Sequence, residues 1–96
     1  MDKDREYQSV VDLEMDSLSR KSPCELMQIE PHSKKVIIGG VKEELIYTVF
    51  DLKDVRHIGI VVKTKLLMGH RNYIAGLTVS LQAERMSNEQ ACALFD

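Results

Sequence analysis

Residues 58–84 read IGIVVKTKLLMGHRNYIAGLTVSLQAE, and the fold turns on them. In the first half Ile58, Ile60, Val62, Thr64 and Leu66 alternate with Gly59, Val61, Lys63, Lys65 and Leu67. After a turn at 68–72, Tyr73, Ala75, Leu77, Val79, Leu81 and Ala83 alternate with Ile74, Gly76, Thr78, Ser80, Gln82 and Glu84. Successive side chains of a strand point to opposite sides, so this period of two predicts a long antiparallel hairpin. One of its faces is apolar and the other is small, polar or basic. Each arm of about ten residues reaches about 33 Å, which makes the hairpin the spine of the domain.

Upstream, Val36-Ile37-Ile38 and Leu45-Ile46-Tyr47-Thr48-Val49-Phe50 are β-branched, aromatic or aliphatic and predict two further strands. Gly39-Gly40 between them fits a two-residue turn or, with the polar residues up to 44, a longer loop. At 100° per residue Tyr7, Val10, Val11, Met15 and Leu18 share one stripe, so residues 4–19 form an amphipathic helix, with Glu14 as the exception inside the stripe. Ser22-Pro23-Cys24-Glu25 is a capping-box sequence with proline at the first helical position; it opens a short helix that Pro31 ends. Ser87-Asn88-Glu89-Gln90 repeats the capping pattern and opens a last helix through Phe95.

The order is helix, short helix, four strands, short helix, with no βαβ unit. It specifies a single α+β domain over residues 1–96: a four-stranded antiparallel meander with its helices on the apolar face. The double-stranded-RNA-binding domain has a related order, but its closing helix presents clustered lysines to phosphate. Residues 87–96 contain no base, so nothing of that function transfers.

Composition narrows the function. With 13 Lys+Arg against 15 Asp+Glu, 44% hydrophobic residues and a net charge of −2, the chain is neither a disordered segment nor a generally basic nucleic-acid binder. The charge is segregated, however: residues 31–71 hold eight bases and four acids, between acidic ends. Cys24 and Cys92 are far apart and expected to pack as small hydrophobes. The charged N-terminus has no apolar leader and nowhere do 18 apolar residues run together, so no membrane partner is expected and a cytoplasmic location is.

Residues able to do chemistry are scattered. Cys24 is the candidate nucleophile, and His32, His57 and His70 the candidate bases, but no nucleophile signature surrounds them, so no catalytic residue is assigned. His57 and His70 stand at opposite ends of one long strand, and no His-x-His, Cys-x-x-Cys or His-Glu-x-x-His spacing occurs; neither metal nor cofactor is expected. The paired carboxylates Glu43-Glu44, and Asp51 with Asp54, fall in expected loops with no pocket to tune them.

The patterning that remains points to association. In residues 45–50 both alternating sets are largely apolar, and a strand apolar on both sides is buried on both sides. Gly59, Val61, Gly76, Thr78 and Ser80 form a flat patch of small residues on the hairpin's other face. The expectation is a non-enzymatic homodimer, able also to bind another protein, whose interface includes Phe50, Val61, Thr78 and Ser80. The alternative in a different class is a nucleic-acid module using Lys63, Lys65, His70 and Arg71. Three Tyr, two Phe and no Trp give it little to stack bases on. A third possibility is a small-ligand protein with its pocket between the first helix and the sheet.

Overall fold

A computed structural model of the chain describes residues 3–52, 55–65, 69–80 and 83–95. Helix α1 (Lys3–Ser19) and a single turn, α2 (Pro23–Leu26), lead into five strands: β1 (His32–Ile38), β2 (Val41–Leu52), β3 (Val55–Lys65), β4 (His70–Val79) and β5 (Ala83–Arg85). Helix α3 (Asn88–Phe95) follows. The strands form one sheet in sequence order, every neighbouring pair antiparallel. The α+β meander expected from the sequence is thus present, with one strand more. The period of two does not run unbroken to residue 84: β4 ends at Val79, and Ala83 comes back to pair with it, opening the short fifth strand. The facing expected for Leu66, Leu67, Leu81 and Gln82 lies outside the described residues.

Spacing and turn chemistry explain the register. Ile38 pairs with Val41, so Gly39-Gly40 is a two-residue turn, and both glycines have positive φ (58° and 79°). A primed turn of this kind needs φ > 0 at both central positions and matches the twist of the flanking strands. The expected spine is the β3–β4 hairpin, in register from Arg56↔Val79 to Lys65↔His70.

The two faces are covered by different helices. On the first, α1 lays Tyr7, Val11, Met15 and Leu18, each 3% exposed or less, over Leu45, Ile58, Ile60, Val62, Ala75 and Leu77. This is the main core, and apolar burial there supplies most of the fold's stabilisation. The second face holds a smaller cluster: Val61 and Ile74 under Ala91, with Met86 and Phe95 packed against it. Here the expectation that all helices lie on the apolar face is corrected, because α3 crosses to the other one. The small residues of the hairpin explain this. Built onto Gly59, a Cβ would stand 2.6 Å from Cδ1 of Phe95, and on Gly76 it would stand 2.8 Å from Sδ of Met86. Only glycine lets α3 approach so closely.

Polar contacts latch α1 to the sheet. The Tyr7 hydroxyl donates to Glu43 (2.5 Å), that of Tyr73 to Asp4 (2.6 Å) and that of Tyr47 to Glu14. Glu14 is thereby accounted for: a half-buried carboxylate inside an apolar stripe, it accepts from Tyr47 and from the Lys34 ammonium at 2.9 Å. The short α2 is held from the other side. Ser22 and Glu25 close the capping box, and the Arg56 guanidinium donates to the carbonyls of Ile29 (2.8 Å) and Leu26 (3.5 Å) while pairing with Asp51.

Candidate functional site

Alternation along β2 puts Leu45, Tyr47 and Val49 on the α1 side, and Ile46, Thr48, Phe50 and Leu52 on the other. The α1 side is buried, whereas on the second face α3 packs over β3 and β4 and leaves β2 and β1 largely bare. Phe50 is 37% exposed, Leu52 49% and Ile37 of β1 70%. The expectation that residues 45–50 are buried on both sides therefore holds for one side only.

Next to this bare strip α3 raises a wall. Between the wall and the sheet lies an open groove of about 360 Å³, with His57, Thr78 and Met86 on one side and Gln90, Ala93 and Leu94 on the other. The register sets Phe50 opposite His57 and His57 opposite Thr78, forming a row across three strands. The rings of Phe50 and His57 are 5.8 Å apart, and the Thr78 hydroxyl lies 3.4 Å from Nδ1 of His57. Phe50 and Leu52 thus make an apolar ridge directly beside the groove. Among the described residues no Asp, Glu, Lys or Arg lines the groove.

Of the expected interface residues, the structure brings Phe50 and Thr78 together on this row and leaves Ser80 exposed just beyond the end of β4. It corrects Val61, which is 7% exposed and lies beneath the chain's own α3. Gly59 and Gly76 are covered in the same way. Sequence reasoning missed Ala93 and Leu94 because it placed α3 on the opposite face, Leu52 because it read residues 51–54 as a loop where β2 runs on to Leu52, and His57 because it took it for a boundary residue at the start of a strand.

The alternative nucleic-acid set is divided. Lys63, Lys65 and His70 are exposed on the second face, at the end away from the groove, with Lys65 paired opposite His70. Arg71 points to the first face, where it pairs with Asp4 at 2.9 Å and stands 5.9 Å over the Tyr73 ring. The third possibility is relocated: Tyr7, Val11 and Met15 fill the space between α1 and the sheet, and the groove lies on the other side.

The other chemical candidates lie outside the groove's lining. Cys24 and Cys92 are both exposed rather than packed as small hydrophobes. His32 stacks on Tyr47 at 4.2 Å and its Nδ1 donates to the Glu30 carbonyl at 2.7 Å. Glu43 and Glu44 lie in β2, not in a loop, and so face opposite ways: Glu43 accepts from Tyr7, and Glu44 pairs with Lys35. Asp51 is held by Arg56, and Asp54 is outside the described residues. Among the described residues no group of three His, Cys, Asp or Glu side chains is placed to hold a metal ion, and no helix is long and apolar enough to cross a membrane.

Burial, followed by the carboxylate beside each, raises the tyrosine pKa values: Tyr73 is pushed up to about 12, and Tyr47 and Tyr7 also move upward. Burial pushes the Glu14 carboxyl up, but the Lys34 ammonium and the Tyr47 hydroxyl outweigh it and hold the group below the usual carboxylate range. These shifted groups all belong to the α1 latch and none to the groove. No family model, no curated protein and no solved structure matches this chain.

Proposed function

We propose that this protein works by association rather than catalysis, as a homodimer formed through the uncovered part of the second sheet face. One observation carries this: among the described residues, the apolar ridge of Phe50 and Leu52 stands exposed beside a groove lined by no charged side chain, on a part of the sheet that neither α1 nor α3 covers. Clustered, exposed apolar side chains beside a concavity are characteristic of protein interfaces, whereas single exposed ones are not. Another protein of similar surface chemistry could use the same face.

Size-exclusion chromatography with light scattering on the untagged protein, at low and moderate salt, tests the proposal. Absorbance is followed at both the nucleic-acid and the tyrosine wavelengths. A mass of two chains that does not respond to salt supports it, since an uncharged interface has little to screen. A mass of one chain, 11.0 kDa, at every concentration counts against it. Co-eluting nucleic acid that is lost as salt rises would instead promote Lys63, Lys65 and His70.

A further inference from the structure

Resting on the homodimer reading, we infer that the ridge of each copy, Phe50 and Leu52, seats in the groove of the other, against Thr78, Ala93 and Leu94. Ridge and groove lie side by side on one face, which is the arrangement a two-fold axis requires: if residue i of one copy meets residue j of its partner, j meets i in return. A second copy therefore fills both grooves and covers both ridges at once.

The charge of this face is compatible with the same occupant. Among the described residues the groove's lining carries no formal charge, and Phe50 and Leu52 add none. Among the described residues the exposed lysines of this face, Lys42, Lys63 and Lys65, are strung toward its other end, with Lys35 paired to Glu44. An acidic peptide or a nucleic-acid strand would be drawn to that end, leaving the groove to a neutral apolar group.

The free sheet edge is a poorer route to a dimer. Full-length antiparallel pairing of two β1 strands would centre on Lys35 and set it opposite its own copy. Like charges placed directly opposite destabilise such a pair, and lysines on an edge are a common guard against this pairing.

Area sets the size class of the contact. The ridge-and-groove end covers about 20 Å across the strands and about 20 Å along them, about 400 Å² per copy, half the roughly 800 Å² per partner of a standard interface. The dimer is consequently weak and concentration-dependent, in the class of transient contacts.

Sedimentation equilibrium across the micromolar range tests this, using the wild type, Phe50→Asp, Ala93→Lys and an equimolar mixture of the two variants. Circular dichroism confirms that each is folded, and Leu52→Asp serves as a second ridge variant. Each variant alone is expected to associate at least about tenfold more weakly, because a charge is driven into an apolar contact. The mixture should recover, since a mixed pair keeps one native ridge-groove contact and, at the other, sets the carboxylate introduced on one copy against the ammonium introduced on its partner. A dimer that tolerates Phe50→Asp and Leu52→Asp, or weakened variants whose mixture does not recover, overturns this contact and leaves the homodimer standing. A wild type that stays monomeric overturns both.

Discussion

The ring of Phe95 rests on Gly59, so close that a single methyl group on that glycine would stand 2.6 Å from the ring. Gly59→Ala is accordingly expected to lift α3 from the sheet and destabilise the protein by about 1–3 kcal/mol, the usual cost of overpacking. Phe95→Ala removes the obstacle. Placed together, the two substitutions should cost less than the sum of their separate effects, as residues in contact do. Urea denaturation midpoints of the four proteins check this. Strict additivity would show that Phe95 does not rest on Gly59 in solution.

The latch between α1 and β2 makes a second prediction. Tyr47→Phe removes the hydroxyl that Glu14 accepts from and leaves a half-buried carboxylate with Lys34 alone. Hydrogen bonds to charged groups contribute about 1.5–3 kcal/mol, so a loss in that range is expected in the unfolding free energy. Glu14→Gln should lose less than that, because the amide oxygen still accepts.

Alkaline pH should loosen α1 from β4 as well as from β2. Tyr73 ionises near 10 in the unfolded chain and near 12 in the folded one, so below pH 10 its contribution to stability is fully present. Between about pH 10 and 12 the unfolded state loses its proton first and the contribution fades. Tyr47 shifts the same way and adds to the loss. Glu14 acts at the other extreme: its folded pKa is lowered, so its contribution is present at neutral pH and disappears as pH falls through the carboxylate range. Denaturation curves over these windows, with Tyr73→Phe as the comparison, should show a shallower alkaline decline in the variant.

Arg56 is the fourth test. Its side chain is only 15% exposed, and it binds the carbonyls that end α2 as well as Asp51. Arg56→Lys keeps the charge but loses the fork that serves three acceptors at once. Faster amide exchange is expected through residues 26–30, with the β3–β4 hairpin unchanged. Equal acceleration throughout the chain would mean a general loss of stability instead.

Where local pattern and tertiary demand agreed, the sequence was sufficient. The alternation of Ile58, Ile60 and Val62, the stripe of Tyr7, Val11 and Met15, and the capping boxes at Ser22 and Ser87 each state their own structure within a few residues. The side on which α3 lands is a different kind of fact. Gly59 and Gly76 leave a flat surface, and only the path of the chain through β5 decides that Ala91 and Phe95 come to occupy it. The same non-local step buries Val61 and turns Ala93 and Leu94 into walls of the groove. That Phe50 and its side of β2 are apolar was legible from the alternation along the strand; that none of the described residues covers it was not, because that too depends on where α3 lands. His57 was not legible, since a histidine at a strand's start has no periodicity to declare its neighbours.

Every strand of this sheet pairs with the one next to it in the chain, so each ladder closes over a short loop and can zip soon after its partner appears. Helix α1 obeys another clock. Its partners Ile74, Tyr73 and Arg85 follow it by 66, 69 and up to 73 residues. During synthesis the helix therefore emerges before the sheet and waits for it, with Tyr7, Val11 and Met15 lacking most of their core until the hairpin has left the ribosome. In that interval the apolar stripe of α1 is open to a chaperone or to aggregation. The carboxylates Asp4, Asp12, Glu14 and Asp16 that later fasten the helix in place are also what keeps it in solution until then.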